Sequence, residues 1–164
     1  MRILVYFFKW LELLGLAILI GGMIILGALV APTVFGMLPP MSTGGEVMST
    51  LFVRFNSVVA YICFGLILVG FLGKLALGGL GKKLRYIEGI SLMIMLVVGI
   101  YIGSFLTPRM DQLRNMRIQD PSNHQAVEWF NASHRLSEKL FTLNLLMGLV
   151  VLYLNAMDMT KRQK

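Results

Sequence analysis

Four stretches without a single acidic, basic or histidine side chain decide what this chain can fold into. No Asp, Glu, Lys, Arg or His occurs in the 33 residues between Glu12 and Glu46, the 19 between Arg54 and Lys74, the 20 between Glu88 and Arg109, or the 18 between Lys139 and Asp158. A bilayer hydrocarbon core about 30 Å thick takes roughly 20 residues of apolar helix, so each stretch is long enough to span it. Among the 164 residues 57% are hydrophobic, only 14% are charged, and the mean hydropathy is +0.76. These values exclude a water-soluble enzyme, a nucleic-acid binder and a disordered chain. The expected fold is all-α: an integral membrane four-helix bundle in one transmembrane domain, 1–164.

The net charge of +7 follows from topology. With four spans, the N-terminus, the 74–88 connection and the C-terminus share one side. That side carries Arg2, Lys9, Lys74, Lys82, Lys83, Arg85, Lys161, Arg162 and Lys164 against Glu12, Glu88 and Asp158, a balance of +6. The other carries Arg54, Arg109, Arg114, Arg117, Arg135 and Lys139 against Glu46, Asp111, Asp120, Glu128 and Glu138, a balance of +1. The positive-inside rule then places both termini in the cytoplasm, with the chain in the cell's cytoplasmic (inner) membrane. The basic clusters become topology signals and contacts for anionic headgroups, with no nucleic acid as partner.

Helices are expected at about 4–31, 50–77, 84–107 and 122–157. Pro32 and Pro108 remove a backbone donor and fit helix ends or a kink. Pro39-Pro40 with Gly44-Gly45 reads as a loop, and Gly78-Gly79-Leu80-Gly81 as a stop and turn. Asp120-Pro-Ser-Asn resembles a helix start, so the fourth helix should begin outside the membrane near Ser122 and project beyond it on the outer side. Arg2 before an apolar stretch invites a signal-peptide reading, but the stretch is far longer than a signal core and reads as a retained first helix. The lone Cys63 reads as packing. Gly99 and Gly103 form a GxxxG, and Ala17 with Gly21 and Gly27 with Ala31 are small-residue pairs suited to helix packing, within the bundle or against a partner.

Polar residues at membrane depth are the exceptions to explain. Lys9, Glu12, Lys74 and Glu88 fall near one end of their helices. Lys9 and Glu12 can pair locally, and Lys74 can meet Glu12 or Glu88 across the bundle; an interfacial ion pair with snorkelling side chains is the plainer reading, a proton or ion path the alternative. At the other end, a helical wheel gathers Phe130, His134, Ser137, Phe141, Asn144, Gly148 and Asn155 on one face. His134 and Asn144, with Arg54 and Arg109, would then line an outward-facing pocket for a polar or anionic ligand. The plainer alternative is snorkelling Arg, helix-gluing Asn and solvated His.

No metal or other cofactor is expected. Met37, Met41, Met48, Met110 and Met116 with His124 and His134 match no tight copper motif, and two His ten residues apart in one segment do not suit bis-His haem ligation. Nothing pairs a nucleophile with a base, so the protein is not expected to be an enzyme.

Val30-Ala-Pro32-Thr-Val-Phe35, Leu51-Phe52, Thr107-Pro108-Arg109 with Leu113-Arg114, and Phe130-Asn-Ala-Ser-His134-Arg-Leu-Ser with Asn144 resemble a four-helix membrane domain of unknown function found in many bacteria. That domain is similar to transmembrane protein 205-like proteins and, more distantly, to CopD-like copper-resistance proteins. The resemblance implies no enzymatic activity and singles out Pro32, Phe35, Pro108, Arg109, His134 and Asn144; the eukaryotic relatives' link to platinum-drug resistance hints at export or metal handling. The favoured expectation is a non-catalytic accessory or assembly subunit that docks on other membrane subunits or on itself. A small transporter or exporter for metal or amphiphilic substrates is the alternative, and a membrane enzyme of the haem type is the weakest.

Overall fold

A computed structural model of the chain describes residues 2–78, 82–120 and 122–161. Gly79, Leu80, Gly81, Pro121, Arg162 and Lys164, on which parts of the turn and charge reading fall, lie outside the described residues. No strand occurs among the described residues, and the chain folds into four long helices. Helix α1 runs through Arg2–Ile24, Ile25–Val30 and Ala31–Met37; α2 through Met41–Arg54, Phe55–Ala60 and Tyr61–Ala76. Helix α3 runs through Lys82–Tyr101, Ile102–Leu106 and Thr107–Gln119, and α4 is the unbroken His124–Lys161. All four are long and apolar enough to cross a membrane, which makes this a multi-pass membrane architecture.

The middle segments of α1, α2 and α3 are π-helical, and they explain why two prolines do not end their helices. Ala31 N–H donates to Leu26 O, and Thr107 N–H donates to Ile102 O, each five residues back. Pro32 and Pro108 follow immediately. The wider turn makes room for the ring and for the missing donor, which an α-helical ladder would not. Hydroxyls supply further donors: Thr33 Oγ1 to Leu29 O at 2.7 Å and Thr107 Oγ1 to Ile102 O at 2.9 Å. Local π adjustment together with Thr side chains is how membrane helices tolerate proline. Helices α1 and α3 therefore extend to Met37 and Gln119 instead of stopping near 31 and 107.

Gly44-Gly45 is likewise helical. A Cβ on Gly44 would lie 2.9 Å from Phe35 Cδ1, so the missing side chain lets the Phe35 ring of α1 close onto the start of α2. Packing outweighs the low helix propensity of glycine here. The stop after α2 does follow the sequence: Gly78, at φ 66°, takes the left-handed conformation that ends a helix. Helix α4 begins two residues later than expected. Asp120 Oδ1 accepts from Ser122 N at 3.0 Å, and Asn123 Oδ1 accepts from Ala126 N at 3.0 Å, as an N-cap does.

The candidate spans are 34 or 35 residues each, about 51 Å of helix at 1.5 Å per residue. All four helices, rather than α4 alone, outrun a core of about 30 Å. Helix α1 packs mainly along α2, and α3 along α4, with α1 also meeting α4 and a thinner seam between α2 and α3. Phe64 and Phe71 of α2 fill that seam by lying against Gly99 and Gly89 of α3.

The interior is divided. Leu16, Leu19, Ile20, Met23, Cys63, Ile67, Met95 and Val151 form its apolar middle. Toward the end carrying both termini, the buried side chains are charged. Ile18, Ile25, Leu29, Ile62, Val69, Leu72, Met93, Val97, Leu146 and Leu149 face outward. Charge inside and aliphatic surface outside is the inverse of a water-soluble domain, and it suits a lipid surround.

Candidate functional site

Each of the four helices contributes to one buried polar junction. Lys9 and Glu12 of α1, Lys74 of α2 and Glu88 of α3 are each at most 1% exposed, and Asn155 of α4 is 2% exposed. Moving an ion from water into an apolar interior costs several kcal/mol unless it is paired and hydrogen-bonded, so the partners of each charge decide whether this arrangement can exist.

Lys74 is the centre. Its ammonium forms an ion pair with Glu12 Oε2, another with Glu88 Oε1 at 2.5 Å, and donates to Asn155 Oδ1 at 3.0 Å. The ammonium thus gathers oxygens from each of the other helices, hydrogen-bonded to those of Glu88 and Asn155 and ion-paired with that of Glu12. Asn155 completes the arrangement. Its Nδ2 lies 3.0 Å from Glu12 Oε1, 3.0 Å from Glu88 Oε1 and 3.1 Å from its own helix at Val151 O. The carboxylates of α1 and α3 are bridged twice, by an ammonium and by an amide. Ser91, also buried, lies one turn beyond Glu88 on α3.

Backbone approach makes the junction possible. A Cβ on Gly70 would sit 2.7 Å from Phe8 O, 2.7 Å from Glu12 Cβ and 2.8 Å from Glu12 N. Only glycine lets α2 come this near α1 at the level of Glu12. One turn further, Gly73 lies against the Phe8 ring, and Gly15 meets Cys63 O and Ile67 on the same seam. The close approach is therefore built on Gly15, Gly70 and Gly73. Gly99 receives a ring, Gly103 has Tyr61 Oη at 3.6 Å from its would-be Cβ, and Gly21 has nothing within 4 Å.

The sequence-level expectation of snorkelling side chains is overturned. Lys9, Glu12, Lys74 and Glu88 all turn into the bundle, where Lys74 meets both carboxylates from other helices. Asn155, on the polar face of α4, is the member that sequence reasoning placed on the right face without identifying its partners. Asn155→Leu is expected to lower stability by about 1.5–3 kcal/mol, the usual value of a hydrogen bond to a charged group, read as an earlier unfolding transition in mild detergent.

The predicted outer residues are arranged otherwise. Arg54, Arg109 and His134 are exposed, and only Asn144 is buried, with its Oδ1 unpartnered among the described residues. Arg54 lines an open groove of 330 Å³ with Glu46, Val47, Thr50 and Leu51, all on α2; none of the other three lines it. His134 stacks on Phe130 at 6.1 Å and reaches Glu138 at 3.3 Å, one turn along its own helix. Pro32 and Pro108 are exposed beside their π segments, and Phe35 covers Gly44. No group of three His, Cys, Asp or Glu among the described residues is placed to hold a metal ion.

Neither the curated proteins nor the solved structures provide a match. A family model does, over residues 14–119: a stretch that contains Lys74 and Glu88, begins just after Glu12 and ends before α4. It covers well over half of the chain, and the chain accordingly belongs to the family defined by the domain of unknown function DUF4149.

Proposed function

We propose that the protein is a non-catalytic membrane subunit, an accessory or assembly component that packs against other membrane helices, a partner's or those of a second copy. Its termini lie in the cytoplasm, on the side of the inner membrane where the sequence concentrates its basic residues. One observation carries this reading: the charged and amide groups of the junction are engaged with one another across all four helices, and an apolar filling from Leu16 to Met23 separates them from the opposite end. Such a junction fixes which helix neighbours which, a role attested for buried polar groups in other assemblies. What it leaves for interaction is the outer surface. There the side chains are apolar, and Gly21 offers open space to a neighbouring helix.

The test is purification from the native membrane in a mild detergent, followed by cross-linking and mass spectrometry. A second membrane protein, or a second copy of this chain, should be recovered in fixed ratio. Gly21→Leu should weaken that association while leaving the unfolding transition in place. A monodisperse monomer without cross-linked neighbours, isolated from cells in which it is fully active, would overturn the proposal.

The α2–α3 seam favours a second reading. Rings rather than close backbones separate these helices, so displacement of Phe64 and Phe71 would open the bundle from lipid toward Lys74 and Glu88, as an exporter of amphiphilic substrates requires and as the resemblance read in the sequence to transmembrane protein 205-like proteins would imply. Unchanged drug and metal tolerance in cells carrying Phe64→Trp and Phe71→Trp proteins at normal levels would remove it.

A further inference from the structure

The charge-free run of α3 ends at Pro108, and the helix continues as a polar segment bearing Arg109, Arg114 and Arg117. Along the axis, Arg114 and Arg117 lie about 7.5 Å and 12 Å past Arg109. Side chains on a helix lean toward its N-terminus, which on α3 is back toward the membrane. Both guanidinium groups therefore reach into the headgroup layer, which adds some 5–8 Å to each side of the hydrocarbon.

Both keep donors unused there. Arg114 is held by one long ion pair, Nη2 to Asp111 Oδ1 at 3.4 Å, and that same oxygen already accepts from Ser49 Oγ of α2 at 2.8 Å. Its Nη1 is buried and donates to nothing among the described residues. Arg117 lies over the Phe130 ring of α4, 4.9 Å from the ring centre, with no carboxylate in ion-pair distance among the described residues. Beyond Phe130, His134 is engaged with Glu138. Two arginines one turn apart on α3, with donors to spare, match the oxygens of a phosphate, which arginine recognises by paired hydrogen bonds.

The surroundings identify the source of that phosphate. Met116 and Ile118 on this otherwise polar segment, and Trp129 of α4 next in sequence to Phe130, are about half exposed or more. Apolar and aromatic side chains between cations characterise a segment lying in the membrane interface. We propose that Arg114 and Arg117, backed by Phe130, form a binding site for the phosphate of an anionic phospholipid in the adjacent leaflet.

The experiment uses the full chain in mild detergent, with phosphatidylglycerol, phosphatidylcholine and inorganic phosphate as probes. Bound lipid is counted by native mass spectrometry, and the unfolding temperature is followed as each probe is added. Phosphatidylglycerol should be retained and should raise the unfolding temperature, with Arg114→Gln/Arg117→Gln retaining it about thirtyfold more weakly. Arg135→Gln/Lys139→Gln, which removes the same charge from exposed positions on α4, should behave as wild type. Arg117→Gln alone, whose side chain only overlies a ring, keeps the question open to measurement if the double variant fails to fold, and should lose part of the retention. Equal loss in the α4 control would show nonspecific charge attraction and overturn the site. So would unchanged retention in the Arg114/Arg117 variants, or an equal effect of inorganic phosphate, which would mark a soluble anion site.

Discussion

Replacing Lys74 with Met is expected to destabilise the bundle by about 3–5 kcal/mol, the usual consequence of removing one partner from a buried ion pair. The ammonium is the cation that both Glu12 and Glu88 face, and no water-exposed route lets either carboxylate turn away, since both are fully buried. The cost comes mainly from the two carboxylates left buried without the cation they share, and less from the attraction that Lys74 itself supplied. Converting Lys74 to Met and Glu88 to Gln together should therefore recover most of the loss, because the double variant removes one charge of each sign and leaves one buried carboxylate, Glu12, with one buried ammonium, Lys9. Thermal unfolding of the three proteins in one detergent separates these outcomes. A single Lys74→Met variant as stable as wild type would mean that the junction carries no net load.

Gly70→Ala is the second substitution with a large expected effect. Its new Cβ would sit under 3 Å from Phe8 O and Glu12 N, and backbone atoms of a packed helix do not move aside as a side-chain tip does. The expected destabilisation is about 1–3 kcal/mol, the range for overpacking, even though alanine is intrinsically the better helix former. Moving α1 away from α2 also moves Glu12 away from Lys74. Gly70→Ala and Lys74→Met should accordingly be non-additive, as substitutions within one network are. Gly21→Ala supplies the contrast: with nothing within 4 Å of its Cβ, it should leave stability unchanged or slightly raised.

The contrast between Gly70 and Gly21 also shows what could be read before the fold was known. The four spans were legible because absence of charge over 18 residues or more depends only on the chain. Helix ends were less so. Pro32 and Pro108 are helix breakers by local chemistry, and only the π turns before them, with Thr33 and Thr107 bonding back, carry the helices onward. Gly44-Gly45 misled for a related reason, since the Phe35 ring that makes helix favourable there lies on a different helix.

The junction was half legible. The sequence put Lys9, Glu12, Lys74 and Glu88 at a common depth and Asn155 on the polar face of α4. Whether long side chains reach outward to the interface or inward to one another depends on inter-helix distance, and that distance is set by Gly15, Gly70 and Gly73, which no motif marks. The outer residues were less legible still: Arg54, Arg109 and His134 are exposed and only Asn144 is buried, because which face a helix turns inward depends on its neighbours.

Lys74 holds the bundle together by pairing with carboxylates of two other helices. Exchange of charges tests this pairing most directly: Lys74→Glu, Glu88→Lys and the double exchange, compared by unfolding temperature in the same detergent. Each single variant places like charges together and should be strongly destabilised. The double variant restores the wild-type count of buried charges and should be clearly more stable than either single. A double variant no more stable than the sum of the two single losses would mean that Lys74 and Glu88 do not hold the helices by pairing.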